Sequence, residues 1–323
     1  MEESDRLARR ARREQEVRRR RLSAILALIA ALAAVVVAAA LAGGGEGGHK
    51  RARTQPARSV PRPGGPHRST PPPSATIAAS APGAHLAPHE AVPILMYHVI
   101  GTPRPDTPLP ELWVTPRDFR GHVRALAGRG YHAVTLQQVW DAWHRGGRLP
   151  SKPVVFSFDD GYTGQYTQAL PALRAAGWTG VLNLKLGNLR DLHAERVKAM
   201  IAAGWEIDSH TINHPDLTSV GAGGLRVELE QSRARLRREF GVPANFFCYP
   251  AGEYDATVVA AVKRAGYLAA TTTDSGFART RDTYVLGRVR VNGSDSPSDL
   301  VKKLAALGAN PDAAPVLRGG RGR

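Results

Sequence analysis

The sequence predicts an α/β fold on a parallel sheet, closed into a barrel or doubly wound, and three observations carry that prediction. Apolar runs of strand length alternate with segments of helical spacing between residues 92 and 307, the pattern of repeated strand–helix–strand units. The first helical segment closes on glycine, at Gly128, as helices in such units commonly do. Finally, a carboxylate cluster and an imidazole cluster each follow the end of a predicted strand, where a parallel sheet gathers its chemistry.

Taken in order, residues 92–97 are a short apolar run and read as the first strand. The loop 101–116 comes next, on the side where strands end, and its Trp113 is the one tryptophan kept apart from the core readings below. Residues 118–128 place Phe119, Val123 and Leu126 at helical spacing. A strand at 154–158, a helix at 166–176, a strand at 181–184, a helix at 192–203 and an extended segment at 205–207 continue the alternation. A long charged helix covers about 224–240, then strand 246–249, helix 255–265, strand 267–271, strand 285–291 and helix 298–307. Trp140, Trp143, Trp178 and Trp205 read as core, and His122, His132, His144 and His193, without evident partners, as solvated.

The ends of the chain have a different composition. Of the net charge of +16, half lies in residues 1–90, which hold 15 basic and 7 acidic side chains. Residues 22–42 are apolar except for Ser23, enough helix to cross ~30 Å of hydrocarbon and longer than a signal-peptide core. Nine arginines precede that run, from Arg6 to Arg21, and the positive-inside rule keeps such a segment cytoplasmic. The organisation expected is therefore a basic cytoplasmic tail at 1–21, an uncleaved transmembrane helix at 22–42, and a disordered Pro/Gly/Arg-rich linker at 43–90. A catalytic domain at 91–308 and a disordered tail at 309–323 complete it, with the domain outside the cell membrane. No zinc-finger spacing, basic zipper or RNA-binding signature is present, so nucleic acid is not the expected partner. The single cysteine, Cys248, excludes an internal disulfide framework and reads as an apolar core thiol.

Two constellations carry chemistry. The strand ending Phe158-Asp159-Asp160-Gly161 stops on two carboxylates, which repel unless water or a cation lies beside them. His210-Thr211-Ile212-Asn213-His214-Pro215 places two imidazoles four residues apart, on one side of a helical turn, suited to one metal ion. Threonine follows His210 where a His-Glu-x-x-His peptidase has glutamate, so the base must come from elsewhere. One aspartate completes a two-His-one-carboxylate site and the other accepts a proton, which makes acyl hydrolysis the economical reading. An iron oxygenase shares the ligand set but has no use for the second aspartate.

These motifs, with Phe247-Cys248-Tyr249-Pro250-Ala251-Gly252 and the order and spacing of all three, resemble the polysaccharide deacetylases of carbohydrate esterase family 4 across about residues 92–307. The resemblance implies a distorted (β/α) barrel, Asp159 as catalytic base, and Asp160, His210 and His214 as ligands of one divalent metal. It also implies the Tyr249 backbone N–H as an oxyanion donor. Zinc suits this ligand set best, and cobalt, nickel or manganese would fit it. The chain departs from the commonest form of the family in its last strand, Leu286-Gly287-Arg288-Val289-Arg290-Val291, which has no histidine to act as general acid. Met96-Tyr97-His98 resembles instead the subgroup acting on poly-N-acetylglucosamine, which implies His98 as the acid and Arg288 as the partner that holds Asp159.

The function expected is a membrane-anchored, extracellular, metal-dependent hydrolase that removes N-acetyl groups from an N-acetylglucosamine-containing polysaccharide, with no specific protein partner. Rival expectations are an esterase of O-acetyl glycans and an inactive tethered glycan-binding module. Retention of Asp159 beside the three ligands argues against the last, since binding alone needs no base.

Overall fold

The computed structural model describes residues 91–309, and the expected basic tail, membrane span, linker and C-terminal tail lie outside the described residues. No helix among the described residues is long and apolar enough to cross a membrane. Eight strands share one sheet: β1 (Ile94–Tyr97), β4 (His132–Ala133), β5 (Pro153–Asp160), β6 (Val181–Leu184), β7 (Glu206–Ser209), β8 (Phe246–Cys248), β9 (Ala269–Ser275) and β10 (Leu286–Arg290). Every pairing between them is parallel, in the order β1-β10-β9-β8-β7-β6-β5-β4, and β1 also pairs with β5. That last pairing closes seven strands into a barrel and leaves β4 as an extra strand on the start of β5. The two short strands β2 (Val99–Ile100) and β3 (Trp113–Val114) pair separately, so the loop expected at 101–116 contains ordered structure.

Helices follow the strands: α1 (Pro116–Ala127), α2 (Leu136–His144), α3 (Leu170–Ala175), α4 (Ala194–Ala202), α5 (Ser232–Phe240), α6 (Ala256–Arg264) and α7 (Pro297–Ala309) are the longer ones. Their ends are set locally. Thr115 caps α1 by accepting the Asp118 N–H, Pro116 sits in its first turn, and Phe119, Val123 and Leu126 form its buried stripe. Thr135 and Gln138 form a reciprocal capping box on α2, a helix that the apolar spacing had not shown. The long charged helix is present as Ala222–Arg226, a π-helical turn Val227–Gln231 and α5.

Strand β5 shows how the barrel makes a site. It is buried from Pro153 to Asp159, and successive side chains take opposite faces. Phe156 and Phe158 point to the helices, packing on Phe119 with ring centroids 6.3 and 5.7 Å away and stacking on Tyr97 at 6.0 and 5.4 Å. Ser157 and Asp159 therefore point the other way, and both meet Arg288 from β10. The register between β9 and β10 shifts between Leu286 and Arg288, a bulge of the kind that re-aims side chains beside sites.

One histidine expected in solvent is buried. His122 sits in the interior, its ring nitrogens against the Tyr97 hydroxyl at 3.2 Å and the Asp295 carbonyl at 2.8 Å. Two partners from distant segments satisfy it, and that is why its helical position alone was misleading. His132, His144 and His193 are exposed, as expected.

Candidate active site

Asp160 ends β5, and His210 and His214 follow β7, so the neighbouring β6 is the only strand between the carboxylate and the imidazoles. The Nε2 atoms of His210 and His214 each lie 3.8 Å from Asp160 Oδ1. The three ligand atoms all fall within 4.8 Å of one another. A separation of 3.8 Å is too long for a hydrogen bond and is of the order expected for atoms each ~2.1 Å from one shared ion. His210 Nδ1 donates to the Cys248 carbonyl at 2.7 Å, which turns Nε2 to the cluster. Although burial opposes it, the Cys248 side chain with the Asp159 and Asp160 carboxylates pushes the His210 pKa up to about 10, so an ion binding at Nε2 would displace a proton. Burial, then the neighbouring His210, lowers the His214 pKa, and the neutral imidazole is the form that binds a metal. The donor set therefore fits one divalent ion of the kind that takes nitrogen and oxygen ligands.

The helical turn expected at 210–214 is not there. Thr211 and His214 have φ of 67° and 61°, and Asp160 has φ of 75°, all left-handed conformations that cost non-glycine residues on the order of 1–3 kcal/mol each. A helix cannot contain such residues, so the two imidazoles meet through an irregular loop instead. Glu228, which sequence reasoning missed, braces that loop: its carboxylate accepts the N–H groups of Ile212 and Asn213 at 2.8 and 3.0 Å and the Asn213 side-chain amide at 2.7 Å. Thr211 Oγ1 accepts the His214 N–H at 2.8 Å. Strain held by so many bonds marks a site whose geometry the fold over-determines.

Asp159, 2% exposed, points into the barrel and is held by a two-bond Arg288 pair, Nη1 to Oδ1 and Nη2 to Oδ2, each 2.8 Å. Asn183 Nδ2 donates to Oδ1 at 2.8 Å, another contact that the sequence reading missed. Burial pushes the Asp159 carboxyl up, but Arg288 more than reverses it and holds the group well below the usual carboxylate range, so Asp159 is ionised. Arg288 is itself fixed by its Nε donating to the Thr272 carbonyl at 2.7 Å, and Asp159 keeps it charged against burial. His98 stands at the end of β1, its Nε2 3.7 Å from Asp159 Oδ2. Burial lowers its pKa below 6.5 and the Asp159 carboxylate offsets part of that.

Of the residues expected in the site, Asp159, Asp160, His98, His210, His214 and Arg288 come together. Tyr249 does not serve as expected. Its N–H, one residue past β8, donates to the Thr271 carbonyl of β9 at 3.1 Å, and its hydroxyl donates to the Tyr284 carbonyl at 3.0 Å. Both groups are committed to the barrel wall, so the Tyr249 N–H is not a free oxyanion donor. Cys248 is buried, as expected, but not in an apolar setting: its thiol clusters with Asp159 and His210. Trp113 is half-buried against Gly101, where an added Cβ would come within 3.3 Å of its ring.

Residues 146–270 match the family model for polysaccharide deacetylase, which takes in Asp159, Asp160, His210 and His214 but not His98 or Arg288. The Bacillus subtilis protein YxkH, named as a polysaccharide deacetylase, is 30% identical over 211 residues, 64% of this chain and 74% of that protein. The chain belongs to the polysaccharide deacetylase family. Its members are hydrolases, and the barrel described above brings the Asp159–Arg288 pair beside the Asp160, His210 and His214 cluster. The Streptococcus pyogenes deacetylase PplD, solved in complex with acetate, aligns at a TM-score of 0.62 and 26% identity, over 67% of this chain and 98% of that one. The poly-β-1,6-N-acetyl-D-glucosamine N-deacetylase of Escherichia coli strain K12 is 26% identical over 230 residues, 56% of this chain. The deacetylase described here spans only 34% of that protein's length.

Proposed function

We propose that this chain is a metal-dependent N-deacetylase of a polysaccharide containing N-acetylglucosamine, displayed on the outer face of the cell membrane by residues 22–42. The observation that carries the reaction is the buried Asp159–Arg288 pair, open toward His98 and adjoining the Asp160, His210 and His214 cluster. The name of the Escherichia coli relative supports the acetamide of N-acetylglucosamine as substrate, and the apolar run behind nine arginines supports the anchor.

An ion held by Asp160, His210 and His214, zinc by preference for this donor set, would supply Lewis acidity toward the acetyl carbonyl and acidify a water. Asp159 accepts a proton from the attacking water as the water oxygen bonds to the acetyl carbon. Arg288 bonds both Asp159 oxygens and Asn183 adds a second donor to Oδ1, so Oδ2, with one donor and facing His98, is the working atom. His98 gives a proton to the departing nitrogen, and the carbon–nitrogen bond breaks to leave acetate and a free amine on the glycan. A full ion pair with Arg288 makes Asp159 a weak base, which holds a proton only in passage.

Acetate release tests the reading. The chain should act on a β-1,6-linked N-acetylglucosamine oligomer, a chitooligosaccharide or peptidoglycan, and lose that activity to a chelator. Release from O-acetylated xylan with none from any acetamide would make it an esterase instead.

A further inference from the structure

We propose that Gln165 is a positioning residue of the deacetylation site, setting the separation between the proton donor His98 and the proton acceptor Asp159; this rests on the roles given to those two above. The ladder between β1 and β5 runs from Ile94 opposite Val155 to Tyr97 opposite Phe158 and stops there. The next residue on each side is the working one, His98 and Asp159. Each side chain that moves a proton therefore hangs from the first position at which the two backbones no longer pair. A ladder aligns only the residues its hydrogen bonds reach.

Gln165 takes over at that point. Its side chain is fully buried, and its Nε2 donates to the His98 carbonyl at 2.7 Å and to the Asp159 carbonyl at 2.6 Å. Both amide hydrogens are used, one on each chain segment, while Oε1 accepts the Tyr162 N–H at 3.2 Å. One side-chain amide thus supplies the rung that the ladder lacks. The segment carrying it lies hard against β2: an added Cβ on Gly164 would stand 2.0 Å from the Ile100 carbonyl oxygen, so only glycine fits. Residues Gln165–Ala169 form a π-helical turn, a feature that recurs at functional sites. The backbone positions so joined carry side chains whose His98 Nε2 and Asp159 Oδ2 lie 3.7 Å apart. The hydrogen bonds of Gln165 go to none of the three metal-ligand side chains, so its loss should alter proton transfer and leave the metal in place.

The test uses the full chain loaded with zinc. Gln165→Met keeps the length and removes both donors, whereas Gln165→Asn keeps both donors on a shorter arm. Zinc content, KM and kcat are measured on an N-acetylglucosamine oligomer and on 4-nitrophenyl acetate, whose leaving group needs no proton. Because a misplacement of ~1 Å costs on the order of 10² in rate, Gln165→Met should keep zinc and KM while losing roughly 10- to 100-fold in kcat on the amide. On the ester it should lose only a few-fold, and Gln165→Asn should recover part of the amide rate. If Gln165→Met does not fold, Gln165→Asn carries the test through the same bias of amide loss over ester loss. Equal losses on both substrates, or loss of zinc with the rate, would make Gln165 merely structural and overturn the proposal alone. A wild-type chain that released acetate from neither substrate would overturn the deacetylase reading together with it.

Discussion

Arg288→Met removes the guanidinium from a buried carboxylate. Both side chains are buried, at 0% and 2%, and the pair is joined by two bonds of 2.8 Å. Taking one partner from such a pair leaves an uncompensated charge, which costs about 3–5 kcal/mol. The Thr272 carbonyl also loses its donor from Arg288, worth about 1 kcal/mol more. The variant should therefore be destabilised by about 4–6 kcal/mol at pH 7. The pH dependence has a definite sign. In the wild type the folded Asp159 pKa is depressed, so its contribution is present above the unfolded value near ~3.9 and is lost as pH falls through the folded one. Without Arg288 burial meets only the weaker pull of His98 and His210, so the folded pKa rises relative to the wild type, and the variant gains relative stability as pH falls. The gap between the two proteins should thus narrow from pH 7 to pH 5, and adding Asp159→Asn should recover much of the loss at pH 7. Urea unfolding of metal-free protein measures it, since bound metal would shift both curves. A loss below about 1 kcal/mol at pH 7, or a gap that widens on acidification, would refute the ion-pair argument.

Further outcomes are expected. His210→Ala or His214→Ala should lose bound metal and activity together, and full occupancy in either variant would remove the site as drawn. Asp159→Asn should keep the metal and lose roughly 10²- to 10⁴-fold in turnover, while His98→Ala should be less impaired on an activated ester than on an amide. Burial sets the His98 pKa below 6.5, so with His98 as the acid kcat should fall as pH rises through that value; a rate that rises there would make it the base. Protease added to intact cells should release the domain by cutting within 43–90, and protection until lysis would mean the opposite topology.

How far the site was legible depends on how each side chain is placed. Asp159 and Asp160 follow a strand long enough to announce itself, and two histidines four residues apart suit one metal whatever joins them. The joint itself was misread, because a four-residue spacing suggests a helical turn, and nothing in Thr211 or Ile212 signals that Glu228 will hold the loop left-handed from 14 or more residues away. Arg288 lies 129 residues from Asp159, so no local pattern links them; the resemblance pointed to the pair, and the β9–β10 bulge accompanies the geometry that makes it. Tyr249 failed for the opposite reason. Its motif placed it near the site, but an N–H just past the end of a barrel strand still has the neighbouring strand's carbonyl in reach, and Thr271 takes it.

The same rule separates the two aspartates. A β-strand gives adjacent side chains opposite faces, so Asp159 enters the barrel and finds Arg288, while the left-handed backbone of Asp160 turns its carboxylate to the histidines. Each carboxylate then faces its own positive or proton-bearing partners, and the repulsion that made Asp-Asp conspicuous in the sequence is relieved by direction before any ion arrives. That division suits one strand end to the two proposed roles: Asp160, 13% exposed, faces the histidine cluster, while Asp159 stays ionised and oriented toward His98. Extending the strand by one residue in ordinary β geometry would align Asp160 with the outer face, so the φ of 75° at Asp160 is the local departure on which the division depends.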